Sequence, residues 1–139
     1  MQHRFLHRRA LLSLVALAAA LGPARLAGAA PAAIDWRQAP LRLLMVQKRG
    51  CAFCAAWDRE IAPGYAASAE GRSAPLLRVD IDGPWPDGLA LASRPFATPT
   101  FVLLQQGIEI GRIQGYPGAA RFHPQLAAIL GRAGREVGR

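Results

Sequence analysis

The stretch RGCAFCAAWDRE, residues 49–60, contains both cysteines of this 139-residue chain. Two residues separate Cys51 from Cys54, and three interpretations fit this spacing: a structural disulfide, half of a metal site, or a redox pair that opens and closes. From Cys51 onward, cysteine and apolar side chains recur with a helical period, through Cys54, Trp57 and Ile61. The stretch therefore predicts a helix that carries both thiols near its start.

A helix start favours thiol chemistry at Cys51. The first N–H groups of a helix lack intrahelical partners and carry partial positive charge, which stabilises a thiolate. Lys48 and Arg49 precede Cys51 and act in the same direction, so we expect its thiol pKa to lie below the ordinary value of about 8.5. Cys54 lies one turn later on the same face and can resolve a mixed disulfide formed at Cys51. The spacing thus predicts thiol–disulfide exchange, with an inert disulfide as the alternative.

The chain offers few ligands for a metal ion. A zinc site with four protein ligands needs a second pair of cysteines or histidines, and His123 is the only histidine outside the first 29 residues. We therefore predict no metal and no other cofactor. Copper(I) accepts two thiolates, so a copper(I) carrier is the alternative interpretation from another functional class.

The N-terminus has the pattern of an export signal. Basic residues in MQHRFLHRR precede the apolar run ALLSLVALAAALG, and small residues follow at Ala27-Gly28-Ala29. We predict a cleaved signal peptide at residues 1–29 and one domain at residues 30–139. The apolar run is shorter than the roughly 20 residues needed to span a bilayer, which disfavours a membrane anchor.

Two export routes fit this signal equally well. Arg8-Arg9 resembles a twin-arginine signal, and a basic N-terminal region also suits the general secretory (Sec) route. Either route places Cys51 and Cys54 outside the cytosol, where disulfides form and persist. We therefore expect a periplasmic protein.

Half of the net positive charge lies outside the predicted domain. The formal charge of the whole chain is +8, and the predicted signal peptide holds four arginines: Arg4, Arg8, Arg9 and Arg25. The remaining arginines are scattered without a basic stripe interleaved with aromatic residues, which disfavours nucleic-acid binding. Residues 30–139 leave no room for a second, dimerising domain, so we expect a monomer.

The order of secondary structure predicts an α/β fold. Four apolar stretches have strand character, at residues 41–47, 76–81, 100–104 and 108–114. A helix from Cys51 and an irregular helical piece at 65–75 separate the first two strands, and a final helix contains Phe122, Leu126 and Ile129. This order predicts a mixed central sheet with helices on both faces. Pro124 is compatible with the final helix only in its first turn, and the tail from Gly131 is expected to fray.

The segment Thr98-Pro99-Thr100 precedes the apolar strand FVLL. Proline cannot donate a hydrogen bond to a sheet, so at the entry of a strand it marks a turn or a cis bond. A cis Thr98–Pro99 bond exposes the backbone of Thr98 to an extended segment of a client protein.

The stretches CAFCAAWDREIAPGY, EGRSAPLLRVD and FATPTFVLLQQGIEIGRIQGYPG resemble the thioredoxin superfamily, and within it the SoxS-type periplasmic thioredoxins of bacterial sulfur-oxidation (Sox) systems. The resemblance extends over residues 41–130. It implies a thioredoxin-like fold, a nucleophilic Cys51, a resolving Cys54 and a cis Pro99. The residues expected to contact the client are Ala52, Phe53 and Thr98. Tyr116, in the loop after the hairpin, is expected either to contact the client as well or to serve as a packing residue.

The chain also departs from the thioredoxin pattern. Cytosolic thioredoxins have Trp-Cys-Gly-Pro-Cys, whereas here Gly50 precedes Cys51 and the inner pair is Ala52-Phe53. Thioredoxins bury an acid six residues before the nucleophile, where this chain has Met45. This departure predicts a narrower range of clients.

The resemblance implies an exported thiol–disulfide oxidoreductase that works as a reductase. Electrons are expected to come from a membrane thiol donor and to pass to a periplasmic client with a disulfide, such as the sulfur-carrier protein of thiosulfate oxidation. The alternative within the same chemistry is an oxidant or isomerase of folding proteins. The copper(I) carrier remains the alternative from another class.

Overall fold

The computed structural model describes residues 34–36 and 40–137, with side chains through residue 134. These residues belong to the second of the two units into which the chain divides, Pro31–Arg139. The predicted signal peptide, residues 1–29, lies outside the described residues. Among the helices that the structure describes, none is long and apolar enough to cross a membrane.

Four strands form one mixed sheet in the order β2-β1-β3-β4. Their bounds are β1 Leu41–Gln47, β2 Leu76–Asp80, β3 Thr100–Gln105 and β4 Ile108–Gln114. β1 and β2 are parallel because helices connect them, whereas β3 pairs antiparallel with both β1 and β4. The predicted parallel crossover and antiparallel hairpin are confirmed.

A two-residue turn joins β3 to β4. Gln106 and Gly107 have φ values of 49° and 84°, and hairpins of this length favour positive φ at the turn because it matches the twist of the strands. The turn is tethered at Gln106, whose N–H donates to the carbonyl of Pro40 over 2.7 Å. The end of β3 is thus held beside the start of β1.

Three helices lie between β1 and β2: α1 Ala52–Glu60, α2 Ala62–Tyr65 and α3 Ala69–Ser73. α1 begins directly after Cys51, as the helical spacing predicted. The side chain of Ser68 accepts the N–H of Gly71 over 3.0 Å and caps α3.

The final helix, α4 Ala119–Val137, departs from its prediction in two ways. Pro124 lies in the second turn and not in the first, and the helix continues past Gly131 to Val137. Proline removes one backbone hydrogen bond from a helix interior. Burial of Phe122, Leu126 and Ile129 against the sheet offsets this loss.

Successive side chains of each strand point to opposite faces of the sheet, so the buried core has one part on each face. One face carries Leu43 and Met45 of β1 with Phe101 and Leu103 of β3. The helix residues of the buried core lie on this face, and they include Cys54, Trp57, Tyr65, Phe122, Leu126, Ile129 and Ala133. The helix that bears both cysteines is therefore packed directly on the sheet.

The opposite face corrects one detail of the prediction. The α/β fold with a mixed sheet is confirmed, but the partly buried residues that cover Leu44, Val46 and Val102 come from Trp36 and from residues 77–91, and none of them lies in a helix. The connection from β2 to β3 contains four prolines, at 84, 86, 95 and 99. Proline disfavours a helix interior, so this connection packs as a loop.

An ion pair holds this loop on β4. The guanidinium of Arg112 donates to both carboxylate oxygens of Glu109 over 2.6 Å, and the Glu109 side chain is only 7% exposed. Glu109 also accepts the N–H of Ala92 over 2.9 Å, and Arg112 donates to the carbonyl of Ser93 over 2.8 Å. The hydrogen bond to Arg112 lowers the pKa of Glu109. The pair anchors the segment that leads to Thr98.

Candidate active site

Cys51 and Cys54 form a disulfide at the start of α1, with their Cα atoms 5.2 Å apart. Gly50 has a φ of +77°, which lets the chain turn sharply from β1 into the helix. Cys51 is the N-cap residue of α1, and its sulfur accepts the N–H of Cys54 over 3.1 Å. The sulfur of Cys51 thus occupies the place where helix N–H groups stabilise negative charge.

The two sulfurs differ in exposure. Cys54 is 5% exposed and belongs to the core beneath α1, whereas Cys51 is only half-buried. The two residues between them are exposed, and Phe53 retains 65% of its accessible surface. An incoming sulfur atom therefore has easier access to Cys51.

A cleft of about 510 Å³ opens beside the disulfide. The end of β1, the following loop, the first turns of α1 and the end of β2 form its walls. Its lining residues are Gln47, Lys48, Arg49, Gly50, Cys51, Ala52, Cys54, Ala55, Asp58 and Asp80. Both cysteines and charged groups of either sign therefore share one cavity.

The two cations that precede Cys51 have different surroundings. The Nζ atom of Lys48 lies 2.9 Å from Oδ2 of Asp82, and this hydrogen bond raises the pKa of Lys48. Its charge is partly compensated, so its effect on Cys51 is weaker than the sequence alone suggests. Arg49 is exposed and lines the cleft.

The Thr98–Pro99 bond is cis, and Pro99 is buried while Thr98 is half-buried. Thr100 pairs with Val46 near the end of β1, so the segment before β3 and the segment after β1 leave the same edge of the sheet. The carbonyl of Pro99 accepts the N–H of Gly115 over 2.8 Å, which fixes this loop against the end of β4. The sheet therefore places Thr98–Pro99 at the edge that also bears Cys51.

The hydroxyl of Tyr116 is hydrogen-bonded to the C-terminal residue of α1, while the residue itself packs against the core cluster that contains Cys54. The hydroxyl donates to Oε2 of Glu60 over 2.7 Å, and Glu60 is the last residue of the nine-residue helix α1. That position lies about 13 Å along the helix from its start. Partial burial raises the pKa of Tyr116 to about 12, and the bond to Glu60 acts in the same direction.

One polar network beside the cleft was missed at the sequence level. Arg78 on β2 donates to Oδ1 of Asp58 over 2.6 Å and to Oε1 of Gln47 over 2.7 Å. Its guanidinium also lies 5.3 Å from the centre of the Trp57 ring. Only the register between β1 and β2, which pairs Met45 with Arg78, brings the network together.

Two further features of the core bear on the site. Met45, six residues before Cys51, is fully buried on the sheet face that packs against α1, so this position supplies no acid to the cysteines. Within residues 34–36 and 40–137, no group of three or more histidine, cysteine or acidic side chains is arranged to hold a metal ion.

Comparison with known proteins shows which solved structures this chain is similar to. No protein-family model matches the chain, and no curated protein matches it. Among solved structures, the reduced form of the periplasmic thioredoxin SoxS from Paracoccus pantotrophus is 50% identical, with a TM-score of 0.66 over 67% of this chain and 98% of that one. Poplar thioredoxin h is 25% identical, with a TM-score of 0.46 over 68% of this chain and 79% of that one.

A mixed sheet with a Cys-x-x-Cys disulfide at a helix start defines a thiol–disulfide oxidoreductase of thioredoxin type. The chain belongs to the thioredoxin superfamily, with half of its aligned residues identical to those of the periplasmic SoxS.

Proposed function

We propose that the protein is an exported reductase of disulfides in a periplasmic client, with Cys51 as the attacking and Cys54 as the resolving cysteine. The observation that carries this assignment is the difference in exposure, since Cys51 faces the cleft and Cys54 is 5% exposed. An attacking sulfur must meet a bulky protein disulfide, whereas a resolving sulfur needs to reach only its neighbour.

The reaction transfers two electrons in two displacements. The Cys51 thiolate attacks one sulfur of the client disulfide, forms a mixed disulfide and releases the other client sulfur as a thiolate. Cys54 then attacks Sγ of Cys51, and the second client sulfur leaves. The client ends with two thiols, and the protein ends with the Cys51–Cys54 disulfide seen in the structure.

The N–H of Cys54 stabilises the thiolate that makes the first displacement. It donates to Sγ of Cys51 from the start of α1, where the helix dipole also favours negative charge. The thiolate of Cys51 is stabilised before attack. When a donor has attacked Cys51 and released Cys54, the same stabilisation makes Cys51 a good leaving group from the mixed disulfide with the donor. The exposed Arg49 adds positive charge beside the cleft.

The proposed surface for the client offers both backbone hydrogen-bonding groups and apolar side chains. The backbone of Thr98 lies at the edge that bears Cys51 and is suited to an extended client segment. Phe53 is 65% exposed between the cysteines, and Phe96, two residues before Thr98, is 82% exposed. Exposed aromatic side chains of this size suit protein contacts better than solvent. Ala52 adds a small exposed surface beside Cys51.

The similarity to a periplasmic SoxS supports the location. The proposed client is the one that the resemblance to thioredoxins of sulfur-oxidation systems implies. On this proposal residues 1–29 are removed on export, residues 30–139 act in the periplasm, a membrane thiol donor supplies electrons and the sulfur-carrier protein of thiosulfate oxidation receives them. Reduction of that carrier removes disulfides that block its cysteine.

Trapping of clients tests the proposal. Cys54→Ser keeps the attack but removes the resolving step, so mixed disulfides should accumulate in the periplasm and dissociate on addition of reductant. Cys51→Ser is the matched control and should trap nothing. One dominant adduct with a small carrier protein supports the proposed client. A ladder of multi-cysteine secreted proteins supports the folding oxidant or isomerase instead, and tight copper(I) binding without adducts supports the carrier.

A further inference from the structure

The resolving step poses a problem of proton transfer. The thiolate is the nucleophile, so Cys54 must lose its proton before it attacks Sγ of Cys51. Cys54 is 5% exposed and packs in the core beneath α1, where bulk water has little access to its sulfur. A base on the protein that faces the cleft shortens the path of this proton.

Two carboxylates line the cleft that both cysteines share: Asp58 on α1 and Asp80 at the end of β2. Asp58 lies four residues after Cys54 on the same helix face, a spacing that places Cβ atoms about 5–6 Å apart. Asp80 instead accepts the N–H of Asp82 over 2.9 Å, beyond the end of β2. Helix geometry therefore favours Asp58 as the partner of Cys54.

Contacts from neighbouring strands hold the Asp58 carboxylate in place. Arg78 donates to Oδ1 over 2.6 Å, and Gln47 holds Arg78 through a second bond of 2.7 Å. The Asp58 side chain keeps 45% of its surface, so its other oxygen can exchange a proton with the cleft. The carboxylate is thus fixed in direction and still open to reactants.

The charged groups around this carboxylate come from two elements. Arg78 and Asp80 belong to β2, and Lys48 and Arg49 belong to the loop after β1. The ammonium group of Lys48 pairs with Asp82 over 2.9 Å. Any pH dependence of the rate of resolution must be separated from the effects of these groups. Asp80 provides the matched control because it is the second acid of the cleft.

We propose that Asp58 accepts the proton of Cys54 during resolution, directly or through one water, and returns it to the departing client sulfur. This inference rests on the proposed roles of Cys51 and Cys54. The Cys54 S–H bond breaks as the proton passes to Oδ of Asp58. The thiolate forms the Cys51–Cys54 bond and breaks the bond between Cys51 and the client. The client thiolate then takes the proton, so the carboxylate is regenerated and no other reactant is needed.

A chromogenic aromatic disulfide, 5,5′-dithiobis(2-nitrobenzoate), separates the two steps in one stopped-flow trace. The first thionitrobenzoate release reports attack by Cys51, and its rate rises with reagent concentration. The second release reports resolution by Cys54, and its rate is independent of reagent concentration. The reduced full chain is compared with Asp58→Asn, Asp58→Glu and the control Asp80→Asn over a range of pH.

We expect Asp58→Asn to leave the first phase unchanged and to slow the second phase at neutral pH by about a hundredfold, the lower end of general-base effects. The deficit should disappear at high pH, where hydroxide removes the proton, and Asp58→Glu should restore part of the rate. Asp80→Asn should resemble the original chain. If Asp58→Asn misfolds, it should instead lose both phases at every pH. In that case the rate of the second phase in Asp58→Glu decides whether a carboxylate at residue 58 acts on Cys54.

Three outcomes overturn the inference. A second phase unchanged in Asp58→Asn shows that no proton passes through Asp58. A faster second phase shows that the carboxylate merely disfavours the Cys54 thiolate by its charge. An equal deficit in Asp80→Asn shows that the effect is not specific to Asp58. Failure of the proposed function looks different, because the concentration-dependent phase would then be absent or would survive in Cys51→Ser.

Discussion

Cys51 and Cys54 are identical in chemistry and differ in what the fold places around each sulfur. Cys51 caps α1 beside an open cleft, while Cys54 faces the core. Their proximity could be predicted from the sequence because helical spacing alone puts them on one face. The Asp58–Arg78 contact could not, because it depends on a strand register that no local pattern encodes.

The difference between the sulfurs predicts unequal alkylation. After mild reduction, iodoacetamide at pH 7 should modify Cys51 at least about tenfold faster than Cys54, because only Cys51 combines access with a stabilised thiolate. Quenched samples digested and analysed by mass spectrometry give both rates. Equal rates at the two cysteines would remove the basis for the assignment of roles.

Substitution of Tyr116 distinguishes a structural role of its hydroxyl from a role in client binding. Its hydroxyl bonds to Glu60, far along α1 from Cys51, so Tyr116→Phe should leave client reduction unchanged but lower the free energy of unfolding by about 1 kcal/mol. Urea unfolding and a reduction assay of the same preparations measure the two effects. A loss of client reduction without a loss of stability would instead place the hydroxyl in the client site.

The difference in stability between the original chain and Tyr116→Phe should depend on pH. The pKa of Tyr116 is raised to about 12 in the folded chain, so the neutral phenol contributes stability below the unfolded value of about 10. That contribution is lost as the pH rises from about 10 to about 12. The stability advantage of the original chain over Tyr116→Phe should therefore shrink across this interval, as followed by urea unfolding at several pH values. A constant difference would contradict the assigned shift.

At the scale of elements, the strands follow from their apolar alternation, and β1 and β4 have the predicted bounds. The cover of the second sheet face was not predictable from periodicity, because the proline-rich loop between β2 and β3 packs through scattered apolar residues without a repeat. Pro124 inside α4 shows the same limit, since packing of the helix on the sheet overrides a local preference. Tertiary contacts decide such cases.

The Glu109–Arg112 pair should hold the loop that leads to Thr98. Glu109→Gln removes the charge that both Arg112 and the Ala92 N–H use, and we expect a loss of about 2 kcal/mol in the free energy of unfolding. Hydrogen exchange at the Ala92 amide should accelerate as well. Asp80→Asn, an exposed acid outside the pair, is the control. Slow exchange at Ala92 in Glu109→Gln would show that the pair does not anchor the loop.

The Glu109 pair also predicts the response to acid. The pKa of Glu109 is lowered in the folded chain. The contribution of the Glu109 carboxylate to the free energy of unfolding is therefore present above the unfolded pKa of about 4.3, and it is lost as the pH falls through the folded pKa. The stability difference between the original chain and Glu109→Gln should therefore narrow below about pH 4.3. Unfolding by urea at several acidic pH values measures it, and a difference that persists undiminished would contradict the assigned shift.

At the scale of the whole molecule, sequence and structure agree on a small α/β domain whose cysteine helix packs on one face of its sheet. The composition disfavours a zinc site and a nucleic-acid surface, and both absences remain predictions. Export remains a prediction from the pattern of charge and apolar length in residues 1–29, a segment outside the described residues. The client was not predictable from physical chemistry, because its recognition depends on a partner surface.

Processing of the signal gives a prediction at this scale. The protein recovered from the periplasm should begin near Ala30, as determined by N-terminal sequencing and intact mass. Ala29→Glu should block cleavage, since the small-residue pattern before the cut is lost. Replacement of Arg8 and Arg9 by lysine should impair export only if the twin-arginine route is used. A mature protein that retains residues 1–29 would contradict the proposed signal peptide.

The central claim, that the Cys51–Cys54 disulfide is a working redox pair, is tested most directly by single-turnover reduction of insulin. Reduced protein is mixed with insulin, and thiols on both proteins are alkylated at intervals and counted by mass spectrometry. The account predicts that insulin thiols appear in step with the Cys51–Cys54 disulfide, and that Cys51→Ser transfers nothing. Reduced protein that leaves insulin untouched, or a Cys51→Ser variant that reduces it at the original rate, would contradict the account.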